Sequence, residues 1–123
     1  MIHSPGFEKL VNSIRQDVKE IEAQAVVKLL ENKKQPIQFI DVREESEWAA
    51  GHLPHALHIS KGVIERDIEK MVPDKAAPIV LYCGGGYRSA LTAVNLQLMG
   101  YTNVKSMIGG YKGWTEGKLP LTI

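Results

Sequence analysis

Apolar residues along this chain recur at two spacings, and the spacing assigns the elements. Phe7, Leu10, Val11 and Ile14 fall at i, i+3, i+4 and i+7, one stripe of an amphipathic helix. Ser4-Pro5 just ahead of them has the chemistry of a helix start. Residues 18–21 read as a very short strand. Helical spacing returns over residues 22–32 with Val26, Val27, Leu29 and Leu30, and Pro36 blocks any continuation beyond the loop at 33–35. The β-rich run 37–42, IQFIDV, ends in a polar cluster, and residues 45–50 predict a short helix stopped at Gly51. A brief strand at 57–59 and an amphipathic helix at 63–71, closed by Pro73, come next. Pro78 opens Ile79-Val80-Leu81-Tyr82, the most apolar strand candidate. The spacing of Leu91, Val94 and Leu98 predicts a helix over 89–99 with Gly100 as its stop. A last strand at 104–108 is turned by Gly109-Gly110 into a short segment containing Trp114.

Strands therefore alternate with helices. The run 79–82 lacks polar alternation, as a strand covered on both faces does. Together these features predict an α/β fold with a mainly parallel sheet. The chain shows no internal repeat, low-complexity tract or domain linker.

Composition narrows the function classes. The 123 residues suit one compact domain. Hydrophobic residues make up 44% and charged residues 24%, enough apolar material for a core without staples. Net charge is +1 and residues such as Lys33, Lys34 and Lys112 are scattered, which argues against nucleic-acid binding. One cysteine excludes an internal disulfide framework and a multi-cysteine zinc site. A reducing compartment is the simpler expectation. The start MIHSPGFEKL carries no secretory pattern, and no apolar run reaches the length of a membrane span. A soluble cytoplasmic protein without a membrane partner is expected.

The single cysteine stands where chemistry is expected. In an open parallel sheet, ligands bind beyond the carboxyl ends of the strands. Cys83 follows the strand at 79–82 directly, and Gly84-Gly85-Gly86-Tyr87-Arg88-Ser89 leads from it into a helix. Backbone N–H groups at a helix start are unpaired and partly positive, and glycines let them converge on one anion. For a cysteine that anion is first its own thiolate, the form that attacks, and helix N-termini and arginines favour it. Arg88 adds a permanent charge with a planar fork of donors, suited to holding an oxyanion. A buried, inert cysteine is the ordinary alternative. Three consecutive glycines are costly to order, which argues against it here. A Walker loop needs a lysine that is absent, and Ser89 stands where a dinucleotide fingerprint needs its third glycine.

At this point the chain resembles the rhodanese family. Cys83-Gly84-Gly85-Gly86-Tyr87-Arg88-Ser89 is similar to its active-site loop, C-x-x-G-x-R-[SA]. Ile40-Asp41-Val42-Arg43-Glu44, Glu47-Trp48 and Gly51-His52-Leu53-Pro54 resemble its "DVRE…E…GHIPGA" segment, which Leu57-His58-Ile59 continues. Gly109-Gly110-Tyr111-Lys112-Gly113-Trp114 resembles its "GGxxAW". The resemblance implies a three-layer α/β/α fold with a mostly parallel five-stranded sheet. It divides the chain into an N-terminal amphipathic helix, residues 1–16, packed on a rhodanese-like domain, residues 17–123.

It also implies sulfur transfer without a cofactor. Cys83 would take sulfur from a small donor, thiosulfate or a persulfide, and pass it to cyanide, a thiol or a protein cysteine. A sulfur-carrier or regulatory module of the same fold is the alternative. A cysteine phosphatase or arsenate reductase is disfavoured, because those place Arg six positions after Cys and Arg88 comes five after Cys83. Thiosulfate-using members often carry a basic residue next to the cysteine, where this chain has Gly84. A persulfide or protein-bound donor is therefore the better expectation.

Around the loop, Asp41 and Arg43 are candidates for second-layer support, more structural than catalytic. His52, His55 and His58 are spaced three apart, yet Pro54 interrupts any helix and no thiolate joins them, so no metal is expected. His55 stands where the family usually has glycine. Tyr87 is expected to shape the mouth of the site or to face an acceptor protein. Trp48 and Trp114 are expected to pack in the core or at its rim.

Overall fold

The computed structural model describes residues 2–123. Met1, the first residue of the expected N-terminal unit, lies outside the described residues. Six helices and five strands alternate: α1 Pro5–Ile14, a 3₁₀ turn Arg15–Asp17, β1 Lys19–Ile21, α2 Ala23–Glu31, β2 Gln38–Asp41, α3 Glu45–Ala50, β3 Leu57–His58, α4 Ile64–Met71, β4 Ile79–Tyr82, α5 Tyr87–Leu98, β5 Val104–Met107 and α6 Gly110–Glu116.

The sheet order is β1-β5-β4-β2-β3, and every pairing is parallel. β4, the most apolar run in the sequence, is central, and all four of its residues are buried. Its side chains divide between two cores. Ile79, Leu81 and the following Cys83 join Val11, Ile64, Ile68, Ala93 and Leu96 from α1, α4 and α5. Val80 and Tyr82 join Val26, Leu30, Phe39 and Trp114 on the side of α2 and α6. The sheet is thus sandwiched between helical layers, as a parallel sheet requires. The strand order puts the carboxyl ends of β2, β4 and β5 side by side, and the site is built there.

Three local expectations change. The helix after the glycines starts at Tyr87, two residues earlier than the apolar spacing indicates. Gly86 takes φ 96°, a left-handed turn that L side chains rarely adopt, and swings the chain into the helix at once. The segment holding Trp114 is a helix, α6, and Trp114 is fully buried. On α1, Val11 is buried and Phe7 and Ile14 are half-buried, whereas Leu10 faces solvent at 51% exposure. Leu10 lies at the edge of the stripe, outside the contact with α5.

Candidate active site

Cys83 ends β4 and is 1% exposed. The loop after it curls so that backbone donors face the sulfur. Sγ accepts from the N–H of Gly86 at 3.1 Å and from the N–H of Ser89 at 3.3 Å. Both donors belong to the cap and first turn of α5, the orphan N–H groups of a helix start. The thiol also lies 3.5 Å from Ser89 Oγ, which in turn lies 2.7 Å from Ser106 Oγ on β5. Gly86 has no room for a side chain without strain, since φ is positive and a Cβ would meet Gly109 N at 3.4 Å.

A second element holds the outside of the loop. The N–H of Tyr111 donates to Cys83 O at 2.8 Å, and that of Lys112 to Gly84 O at 3.0 Å. The amino end of α6 therefore grips the loop carbonyls while the loop N–H groups turn inward to sulfur. Gly110, at φ 57°, makes this approach possible, because a Cβ there would overlap Cys83 O and lie 2.8 Å from Gly84 C. In the sequence the two glycines mark a turn and the start of the GGxxAW resemblance, and their close approach to the loop is visible only in the fold.

Arg88 does not stand free over the sulfur. Its guanidinium donates to Glu47 in bidentate fashion, Nη1 to Oε1 at 2.7 Å and Nη2 to Oε2 at 3.0 Å. Hydrogen bonding by Arg88 holds the Glu47 carboxyl down to about 2, against the cost of its partial burial. The same bond raises the pKa of Arg88, so the pair is fully ionised at neutral pH. Glu47 is fixed from behind by a capping box, where the Glu44 N–H donates to Oε1 at 3.1 Å. In the sequence Glu47 stands within a family-like motif that gives it no role of its own. The signal that exposes the role is the reciprocal Glu44–Glu47 cap, which locks the carboxylate toward the loop.

Asp41 and Arg43 sit beside this arrangement and bind each other. Arg43 Nη2 donates to Asp41 Oδ2 at 2.8 Å, Nε reaches both carboxylate oxygens at 3.1 Å, and both side chains are buried. Arg43 Nη2 also donates to Gly51 O at 2.6 Å, and the guanidinium lies 4.2 Å from the centroid of the Tyr111 ring. Its charge is matched by Asp41, so it joins β2 to the end of α3 and to α6 instead of adding a free positive field.

Tyr87 is half-buried, and the N-terminal segment packs on its ring. His3 stacks on its ring at 4.0 Å, Phe7 packs at 5.4 Å, and the Arg15 guanidinium lies 5.1 Å from its centroid. The N-terminal segment therefore clamps the first residue of α5. An open recess of about 350 Å3 lies at the loop tip between His3, Gly85 and Tyr87 on one side and Lys112 and Glu116 on the other. A larger recess, about 480 Å3, lies at the amino ends of β2, β4 and β5 against Pro36, Ile37 and Pro78, at the other end of the strands from Cys83.

The three histidines go elsewhere. His52 stacks on Trp48 at 3.6 Å, and His58 stacks on the same indole at 5.0 Å while its Nε2 contacts Arg43 O at 2.8 Å. His55 adopts φ 62°. That left-handed conformation is the physical reason a glycine suits the position, and histidine is among the residues that tolerate it best. Among the described residues, no three His, Cys, Asp or Glu side chains gather as a metal site.

A family model described as rhodanese-like domain matches residues 22–117, most of the chain and all of the loop. The chain belongs to the rhodanese-like domain family. The thiosulfate sulfurtransferase GlpE of Coxiella burnetii is 35% identical over 82 residues, 67% of this chain and 75% of that protein. The GlpE of Haemophilus influenzae is 34% identical over 83 residues, 68% of this chain and 77% of its own length. Among solved structures, the polysulfide-sulfur transferase homodimer of Wolinella succinogenes is 29% identical with a TM-score of 0.78, covering 96% of this chain and 88% of its own. A Rhodopseudomonas palustris protein of unknown function, described as a possible tyrosine phosphatase, reaches a TM-score of 0.86 over 98% of this chain and 97% of its own. At 22% identity it shows the fold alone. The rhodanese match begins after α1, so the clamp on Tyr87 comes from outside the part of the chain that defines the family. No helix among the described residues is long and apolar enough to cross a membrane.

Proposed function

We propose that this rhodanese-type sulfurtransferase works through a persulfide on Cys83. The Cys83 thiolate attacks the outer sulfur of a sulfane donor R–S–S⁻ or of thiosulfate. The donor S–S bond breaks, its electron pair leaves with the thiolate or sulfite, and a new S–S bond leaves Cys83 as Cys–S–S⁻. A thiophilic acceptor then attacks the outer sulfur. With cyanide the product is thiocyanate, and Cys83 departs as the thiolate it was. Charge and atoms balance in each half, so the cycle needs no oxidant or cofactor.

One observation carries the reading: two backbone N–H groups of the cysteine's own loop converge on Sγ, which carries the negative charge before the first half-reaction and after the second. The loop spacing favours sulfur over phosphorus, because the cradle between Cys83 and Arg88 is one residue shorter than a phosphatase loop. The bidentate Arg88–Glu47 pair bears on the donor. With Arg88 matched by a carboxylate and glycine at position 84, a dianion such as thiosulfate finds little uncompensated charge at the sulfur. A singly charged persulfide or a protein-bound donor suits the site better, and a protein cysteine suits it as acceptor.

Intact mass after incubation with a persulfide donor tests this reading. The wild type gains one sulfur atom, cyanide removes it as thiocyanate, and Cys83→Ser gains nothing. No adduct with any sulfane donor rejects the mechanism. An adduct that forms but turns over slowly on every small acceptor assigns the protein as a carrier.

A further inference from the structure

Behind the nucleophile lies a short chain of buried hydroxyls that the transfer mechanism leaves unexplained. Sγ of Cys83, Oγ of Ser89 and Oγ of Ser106 follow one another at 3.5 and 2.7 Å, and the three residues are 1%, 0% and 0% exposed. Ser106 lies on β5, directly opposite Leu81 of β4 in the parallel register. Among the described residues its hydroxyl meets only that of Ser89.

Counting hydrogens distinguishes the two protonation states. With Cys83 as a thiol there are three hydrogens, one S–H and two O–H, but only two contacts in series to receive them. One buried donor is then left without an acceptor, which is costly. With Cys83 as a thiolate there are two hydrogens and two contacts. Ser106 donates to Ser89, and Ser89 donates to sulfur. The chain is complete only when the sulfur carries the charge.

We propose that Ser106 is a positioning residue that acts through Ser89. It fills the acceptor side of the Ser89 hydroxyl and so turns the hydroxyl hydrogen toward the Cys83 thiolate. The inference rests on the persulfide reading for its place in catalysis. The thiolate is the nucleophile in the first half-reaction and the leaving group in the second. Leaving groups depart faster when their charge is stabilised, so the hydroxyl chain matters most for sulfur release to the acceptor.

Three variants of the full chain test this: Ser106→Ala, Ser89→Ala and the double variant. Thiolate ultraviolet absorbance at neutral pH is read first, then single-turnover release of thiocyanate from the preformed persulfide. Ser106→Ala should lower the absorbance and slow release by about three- to tenfold, the net worth of one ordinary hydrogen bond. Donor KM should stay unchanged. Ser106→Thr, which keeps the hydroxyl, should restore both readings. If Ser106→Ala fails to fold, Ser106→Thr and Ser106→Val, similar in volume, make the same comparison. The double variant should be no worse than Ser89→Ala. Wild-type absorbance and release in Ser106→Ala, or losses that simply multiply in the double variant, overturn the proposal. Absence of a persulfide in the wild type defeats the transfer mechanism instead, and the absorbance comparison then decides the hydroxyl chain alone.

Discussion

Glu47 sets what Arg88 can do. The two side chains are 30–36% exposed and joined by two short hydrogen bonds, so the arginine is held but reachable. Replacing Glu47 with Gln keeps the shape and removes the charge that competes with an incoming anion. Thiosulfate KM should fall by up to about fivefold in Glu47→Gln, the worth of a partly exposed ion pair that no longer competes, while a neutral sulfane donor is used as before. An unchanged thiosulfate KM would show that the pair does not gate the donor. The same residue carries a pH signature. Its carboxyl is lowered from 4.5 to about 2, so its contribution to stability is full above pH 4.5 and is lost as pH falls toward 2. Acid unfolding followed by circular dichroism should show this component in the wild type and lack it in Glu47→Gln.

At the scale of elements, three helix ends meet at the loop, and each constrains it differently. The start of α5 points N–H groups at sulfur, the start of α6 holds the carbonyls of Cys83 and Gly84, and α1 covers Tyr87. Gly110→Ala places a methyl group on the loop backbone. Sulfur transfer should drop by two or more orders of magnitude, because misplacing reacting groups by about 1 Å costs on the order of a hundredfold. The protein should still fold, which a thermal melt checks. The clamp on Tyr87 should act more gently. Tyr87→Phe keeps the ring between His3, Phe7 and Arg15 and should retain activity, whereas Tyr87→Ala should raise hydrogen exchange at Gly86 and Ser89 and lower kcat with every acceptor. Unchanged exchange and kinetics in Tyr87→Ala would show that α1 merely covers the helix.

For the whole molecule, the strand order makes the site. β4 and β2 are neighbours although β3 and two helices separate them in sequence, and their carboxyl ends bring Cys83 beside Asp41 and Arg43. The buried Asp41–Arg43 pair ties that edge together by reaching Gly51 O after α3 and the Tyr111 ring on α6. Removing one partner leaves a buried charge alone. Arg43→Ala should therefore destabilise the fold by about 3–5 kcal/mol in denaturant titration, and kcat should suffer because both neighbours of the loop loosen. A loss under about 1 kcal/mol would mean that water reaches Asp41 readily.

How much of this was written in local spacing differs between fold and site. The alternation of elements, the buried central strand and the cysteine at its carboxyl end all follow from residues close together in the chain. So does the count of five from Cys83 to Arg88, because a loop's size is a local property. α5 starts two residues before its apolar spacing indicates, because that spacing cannot register a turn made by the left-handed Gly86. The partners of the loop are a tertiary matter. Glu47 reaches Arg88 across 41 positions, Ser106 reaches Ser89 across 17, and His3 reaches Tyr87 from before the family's own boundary. None of these pairs has a period or a motif spacing, since only the folding of β2, β4 and β5 into one sheet edge decides which side chains share a few ångströms. The sequence alone determined that a cysteine sits in a glycine cradle. Whether the arginine above it is free, and whether the sulfur below it has a hydroxyl chain, was decided by the packing of the elements around it.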